Sequence, residues 1–149
     1  MTTKNELADA VVVERTLNAP VDQVWRALTD VTEMRQWYFD LKEFKPEIGF
    51  AFEFVVEHEG NSYHHICRVT EVIPENKIAY TWRYKDEPVD SLVTFELFPD
   101  GDKTQLRLTH TGIETFPKTP AYTRRNFEQG WTAIIGTQLK QFVEKKQKA

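Results

Sequence analysis

Apolar residues recur at nearly every second position in stretches between Phe50 and His110, and then at every third or fourth position from Phe127 to Val143. A chain patterned this way has few options. A period of two marks a strand with one buried face, and a period near 3.6 marks a helix with one buried stripe. A run of strands closed by a long helix folds as an α+β domain, because that helix is the element available to cover the sheet. Six or seven twisted strands are wider than one helix. The sheet is therefore expected to curl around it, leaving a concave face that is either a core of rings or a cavity.

The strands can be paired by counting. In "FAFEFVVEHEGNSYHHICRV" a Gly60–Asn61 loop sets Phe52 against Val69, Phe54 against Cys67, Val56 against His65 and His58 against Tyr63. In "VTEVIPENKIAYTW" simple pairing sets Val69 against Trp82 and Cys67 against Tyr84. A bulge is expected near Thr70–Glu71, because strict alternation would turn Glu71 inward and Val72 outward. In "LVTFELFPDGDKTQLRLTH" Asp100–Gly101 suits a type I′ turn, placing Leu97 opposite Thr104, Phe95 opposite Leu106, Val93 opposite Leu108 and Ser91 opposite His110.

Ahead of these hairpins "AVVVERTL" (10–17) reads as a first strand. Pro20 then suits the first helical position, with Val21, Val24, Trp25 and Leu28 on one face. Asp30 and Glu33 resemble a capping box opening a second short helix through Met34 and Trp37. The closing helix is expected from about Pro120 to Lys145, capped by Thr119, with Phe127, Trp131, Ile134, Ile135, Leu139, Phe142 and Val143 on its stripe. Gly130 sits inside it, beside Trp131, where glycine costs about 0.5–1 kcal/mol relative to alanine. Its use is expected to be close backbone approach, space at a cavity mouth, or tight packing of helix on sheet.

At 149 residues the chain suits one domain, expected over residues 10–149 behind a flexible stretch 1–9. A net charge of −4 argues against nucleic acid as a partner. The "EKKQK" near the end reads as a solvated helix terminus. "MTTKNELADA" has no apolar core of a signal peptide, and "AVVV" is too short to insert in a membrane. With Cys67 as the single cysteine, no intramolecular disulfide can form, so a cytoplasmic protein is expected.

Aromatic residues make up 13% of a chain that is 40% apolar, so either the core is built of rings or rings line a cavity. By parity Phe52, Phe54, Tyr80, Trp82, Tyr84 and Phe95 face the concave side, with Phe127, Trp131 and Ile135 descending from the helix. His65 and His110 are the polar groups expected to point inward, where a neutral imidazole can orient a ligand. Trp37 and Tyr38 are candidates for a lid. His64 and His65 are strand neighbours and point to opposite faces, so they cannot chelate one ion, and no zinc-type spacing exists. No phosphate loop is present, and no metal or cofactor is expected. Cys67 shares a face with His65 at a Cα separation of about 7 Å, beyond the direct reach a nucleophile–base pair needs, and reads as a core thiol. Glu53, Glu57 and Glu96 fall on the opposite face, toward solvent.

Four separated segments, "VERTLNAPVDQVWRALTD…MRQWY", "VTEVIPENKIAYTW", "TQLRLTHTG" and "GWTAIIGTQLKQFVE", occur in an order that resembles the AHSA1-like (activator of Hsp90 ATPase homologue 1-like) branch of the START/Bet v 1 (SRPBCC) superfamily. The resemblance spans roughly residues 10–146. It implies a helix-grip fold: a curved antiparallel sheet of six to seven strands wrapped around a long C-terminal helix, with two short helices after the first strand and an elongated cavity between. It implies a small apolar or aromatic ligand, lipid- or polyketide-like. A second implication is a chaperone partner of the Hsp90 type, with the chain holding that domain without the further N-terminal domain of the full activator. A third is a cyclase- or hydrolase-type enzyme, for which His110, His65 and Tyr80 are the inward groups available. A monomer or homodimer fits each of these.

Overall fold

The computed structural model describes residues 10–58, 60–85, 87, 89–116 and 123–147. The stretch 1–9 and the Thr119–Pro120 helix start fall outside the described residues.

The first strand, β1 (Val11–Leu17), buries Val11, Val13 and Leu17 and turns Val12 and Glu14 outward. Helices α1 (Val21–Thr29) and α2 (Val31–Trp37) follow. Pro20 stands one place earlier than expected. Its ψ of 156° is extended, so it caps α1 from outside, while its carbonyl accepts from the Gln23 and Val24 N–H groups. Asp30 separates the two helices and its side chain accepts from the Thr32 N–H at 2.9 Å. This satisfies one of the amide donors that a helix start leaves open.

Strands β2 (Ala51–His58), β3 (Asn61–Ile73), β4 (Lys77–Thr81), β5 (Arg83–Tyr84), β6 (Leu92–Asp100) and β7 (Lys103–Thr111) complete the sheet. It is antiparallel, in the order β1-β7-β6-β4-β3-β2, with β5 paired to β3 beyond β4. All three expected pairings are displaced by two residues. Phe52 lies opposite Cys67, Phe54 opposite His65, Val56 opposite Tyr63 and His58 opposite Asn61, because Asn61 already belongs to β3 and Gly60, at φ +81°, ends the loop. Leu97 lies opposite Leu106, Phe95 opposite Leu108 and Val93 opposite His110, because Gly101–Asp102 forms the turn. Gly101 has φ +63° and Asp102 is not among the positive-φ residues, the sign pattern of a type II′ turn rather than type I′. The bulge stands where expected, between Val69 and Glu71. It shifts the β3 pairing so that Val69 meets Tyr80 and His65 meets Tyr84.

Within the described residues the C-terminal helix runs from Arg124, where extended Thr123 takes the N-cap and accepts from the Asn126 N–H at 3.1 Å. It is α-helical over Arg124–Ala133, widens to a π-helical stretch over Ile134–Leu139, and continues as α-helix over Lys140–Gln147. Phe127, Trp131, Ile135, Leu139 and Val143 are buried against the concave face. Gly130 is exposed, and a Cβ there would meet nothing within 4 Å. A close contact is found at Gly136 instead, where a Cβ would lie 3.0 Å from the side-chain Nε of Arg15. Among the described residues no helix is long and apolar enough to cross a membrane.

Candidate functional site

The concave face is rich in rings because alternate residues of the strands point there, and Phe52, Phe54, His65, Tyr80, Tyr84, Phe95 and His110 fall among those positions beside aliphatic residues such as Val69, Leu97 and Leu108. Trp82 is the hub. It falls in the break between β4 and β5, where its N–H bonds the Ser91 carbonyl at 2.9 Å. Its ring meets His65 at 4.9 Å, Trp131 at 5.0 Å and His110 at 6.0 Å between centroids.

On one side of Trp82 lies His65, stacked on Phe54 at 4.4 Å and edge-on to Tyr84 at 4.6 Å. Phe52 and Phe95 flank Tyr80 at 5.0 and 5.8 Å. On the other side lies His110, against Phe127 at 4.9 Å, with Phe116 stacked on Phe127 at 5.1 Å. Ile135 is fully buried in the same core. These rings form one connected set of contacts, from Phe52 through Tyr80, Phe95 and Trp131 to His110 and Phe116.

The buried polar groups hold defined protonation states. The Trp131 Nε1–H can only donate, and it lies 3.1 Å from His110 Nδ1. Nδ1 is therefore the bare nitrogen and Nε2 carries the proton, which goes to Ser91 Oγ at 3.0 Å. Ser91 in turn donates to the Trp82 carbonyl. His65 holds the opposite tautomer: its Nδ1 lies 2.9 Å from the Tyr63 carbonyl, which can only accept. Burial pushes His110 down to about 3 and His65 down to about 4, so both imidazoles are neutral at physiological pH. Burial also raises the Cys67 thiol, which keeps it protonated and unreactive. His64 faces the other way and pairs with Glu53 at 2.6 Å.

The segment after α2 covers this face. Trp37 is buried but held by the helix pair: its indole N–H donates to the Ala27 carbonyl at 2.8 Å, and Tyr38 is its ring neighbour at 4.8 Å. Phe39 stacks on Phe54 at 4.4 Å, and Phe44 stands edge-on to Phe52 at 5.1 Å. Tyr38 and Phe39 are half-buried, unlike the rings beneath them. Arg35 ties the segment down from outside, donating to the carbonyls of Leu41 and Lys42, each at 2.6 Å. Gln138, in the π-helical stretch, donates to the Trp37 carbonyl at 2.6 Å and joins the closing helix to the start of the segment.

All twelve sequence candidates are thus buried, and Trp37 is the one set back behind Tyr38. Phe39, Phe44, Ser91, Phe116 and Gln138 were not anticipated. Phe39 and Phe44 lie in a segment with no period to read, and Ser91 lies just ahead of β6. Among the described residues no three His, Cys, Asp or Glu side chains converge as a metal site would require.

The family model for activator of Hsp90 ATPase homolog 1-like proteins matches residues 18–144. No curated protein matches the sequence. Among solved structures, the chain is similar to CV1439 from Chromobacterium violaceum, with 26% identity, 92% of this chain and 98% of that one covered, and a TM-score of 0.77. It is similar to MLL2253 from Mesorhizobium loti, with 29% identity over 91% of this chain and 97% of that one and a TM-score of 0.72. DynU16, a protein in the dynemicin biosynthetic locus, matches at 24% identity with a TM-score of 0.74. Here 91% of this chain is covered but 47% of DynU16, so the chain spans about half of that protein's length.

Proposed function

Given that the chain belongs to the activator of Hsp90 ATPase homolog 1-like family, we propose that its concave face binds a small, neutral, apolar or aromatic molecule. The observation that carries this reading is the chemistry of the wall. Rings supply the surface, and the polar groups among them, His65, His110, Ser91, Tyr38 and Tyr80, are neutral. Small-molecule sites combine an apolar wall with a few placed polar groups in this way. Because the rings touch one another, a guest takes its place by displacing them, starting with half-buried Phe39, which stacks on Phe54. The similarity to DynU16, whose locus is biosynthetic, supports a role toward a small molecule.

Binding is favoured over catalysis by the same groups. A general base works best with a pKa near the operating pH. His65 and His110 lie far below it, at about 4 and about 3.

A thermal-shift panel of lipids, polyketides, flavonoids and indoles tests the proposal. A ligand at 100 times its Kd stabilises by about 2.7 kcal/mol, which raises the Tm of a domain this size by roughly 5–10 °C. A rise that is lost in a folded Trp131→Ala variant supports the site. A flat panel counts against it and favours the second reading, a chaperone-binding surface, which the family's name motivates. Pull-down of an Hsp90-type chaperone by the purified protein tests that reading directly.

A further inference from the structure

Two phenols meet in the middle of the ring cluster. Tyr38 Oη and Tyr80 Oη lie 2.8 Å apart, and Tyr80 is 2% exposed. Tyr38 is half-buried as a residue, but its hydroxyl end points inward to this contact. A phenol brings one O–H donor. Of the pair's two protons, one is spent between the two oxygens. The other meets no acceptor among the described residues. Its surroundings are mainly rings: Phe44, Phe52 and Phe95 about Tyr80, and Trp37, Phe39, Phe54 and Trp131 about Tyr38, with the buried Cys67 thiol near both phenols.

The neighbouring polar groups differ in this respect. The indole N–H groups of Trp82 and Trp131 are engaged, with Tyr84 Oη at 3.0 Å and His110 Nδ1 at 3.1 Å, and the Nε2–H of His110 is spent on Ser91. A surplus donor buried among rings is an unmatched group, and it selects for an acceptor.

Building on the small-molecule reading above, we propose that the Tyr38–Tyr80 pair recognises a neutral acceptor oxygen, that of a ketone or similar carbonyl, carried by an otherwise apolar aromatic ligand. Burial raises both phenols above their ordinary range, so they remain protonated donors at neutral pH. A carboxylate is the wrong acceptor, since the rings around the pair offer no cation to a buried anion.

The pair 9-fluorenone and fluorene tests this, because the two share a ring frame and differ by one carbonyl oxygen. Each is titrated by calorimetry into the purified protein and into the Tyr38→Phe/Tyr80→Phe variant. The expected result is a Kd about tenfold lower for the ketone in the native protein, the scale of one neutral hydrogen bond. In the variant the two affinities become equal while fluorene binding is retained. Equal affinities in the native protein overturn the inference and leave the binding site standing. A ketone preference that survives in the variant overturns it too, by placing the recognition elsewhere. Binding of neither compound overturns both readings. If the double variant does not fold, the infrared C=O stretch of fluorenone bound to native protein decides. A shift below its position in an apolar solvent supports the hydrogen bond, and no shift overturns it.

Discussion

The indole N–H of Trp131 donates to Nδ1 of His110 over 3.1 Å, and this one bond decides which nitrogen of the histidine carries its proton. The consequence runs onward, since the Nε2–H must then go to Ser91 and the Ser91 hydroxyl to the Trp82 carbonyl. Helix and sheet are thereby joined by a directed chain of bonds inside an apolar core. Trp131→Phe is predicted to strand Nδ1 and to cost about 1–3 kcal/mol from that nitrogen alone, before any lost packing. Urea unfolding measures it, and a loss under about 0.5 kcal/mol would refute the assignment. Nitrogen-15 spectra of His110 at neutral pH should show the Nε2–H tautomer.

Both buried histidines should make the fold acid-sensitive. Their folded pKa values, about 3 for His110 and about 4 for His65, lie below the ordinary value of 6.5. The unfolded chain therefore binds more protons below that pH. The stability they contribute is complete above about pH 6.5 and is lost as pH falls toward 4 and 3. Between pH 6 and 5 each histidine should contribute a slope approaching about 1.4 kcal/mol per pH unit. Chemical denaturation across that interval checks this, and a flat stability curve would mean that neither imidazole is held neutral.

Two glycines should respond in opposite senses. Gly130 is exposed in mid-helix with nothing within 4 Å of a Cβ, so Gly130→Ala is predicted to stabilise by about 0.5–1 kcal/mol. Gly112 has φ +86°, and a Cβ there would lie 2.2 Å from the Asp90 carbonyl oxygen. Gly112→Ala should destabilise by about 1–3 kcal/mol for the backbone conformation alone, with the clash in addition. Equal melting temperatures for the two variants would contradict both placements.

Arg35→Ala should loosen the covering segment without unfolding the core. The side chain bonds the Leu41 and Lys42 carbonyls, and Arg35 itself is exposed, so the global cost should stay near about 1 kcal/mol. Hydrogen exchange over residues 38–44 should quicken while that of β6 and β7 stays unchanged. Uniform quickening along the chain would show that Arg35 supports the whole fold rather than this segment.

The architecture and the buried face were legible because both are questions of period. Side-chain direction along a strand depends on whether a position is odd or even, so the two-residue displacement of each hairpin left Phe52, Phe54, His65, Phe95 and His110 on the face expected of them. Register was not legible. "DGD" offers a turn at Asp100–Gly101 or at Gly101–Asp102, and "EGN" offers the same choice around Gly60. Both choices preserve parity, so hydrophobic pattern cannot separate them. Gly130 misled because a helix glycine marks a backbone feature without saying where the helix faces, and the close contact, with the Arg15 side chain, lay at Gly136.

Strand, helix and burial follow from neighbours in the chain, and so pattern and composition suffice for a curled sheet closed by a helix and for its ring-rich interior, while the family and its helix grip came from the resemblance of four ordered segments. The polar details join residues far apart: Tyr38 with Tyr80 across 42 positions, His110 with Trp131 across 21, Trp37 with Gln138 across 101. A hydrogen bond needs its donor and acceptor placed to within a few tenths of an ångström. No repeat in a sequence carries that information. It appears once turns, bulge and π-helical stretch have set the distance between sheet, helix and covering segment, and with it which nitrogen holds a proton and which hydroxyl has one to spare.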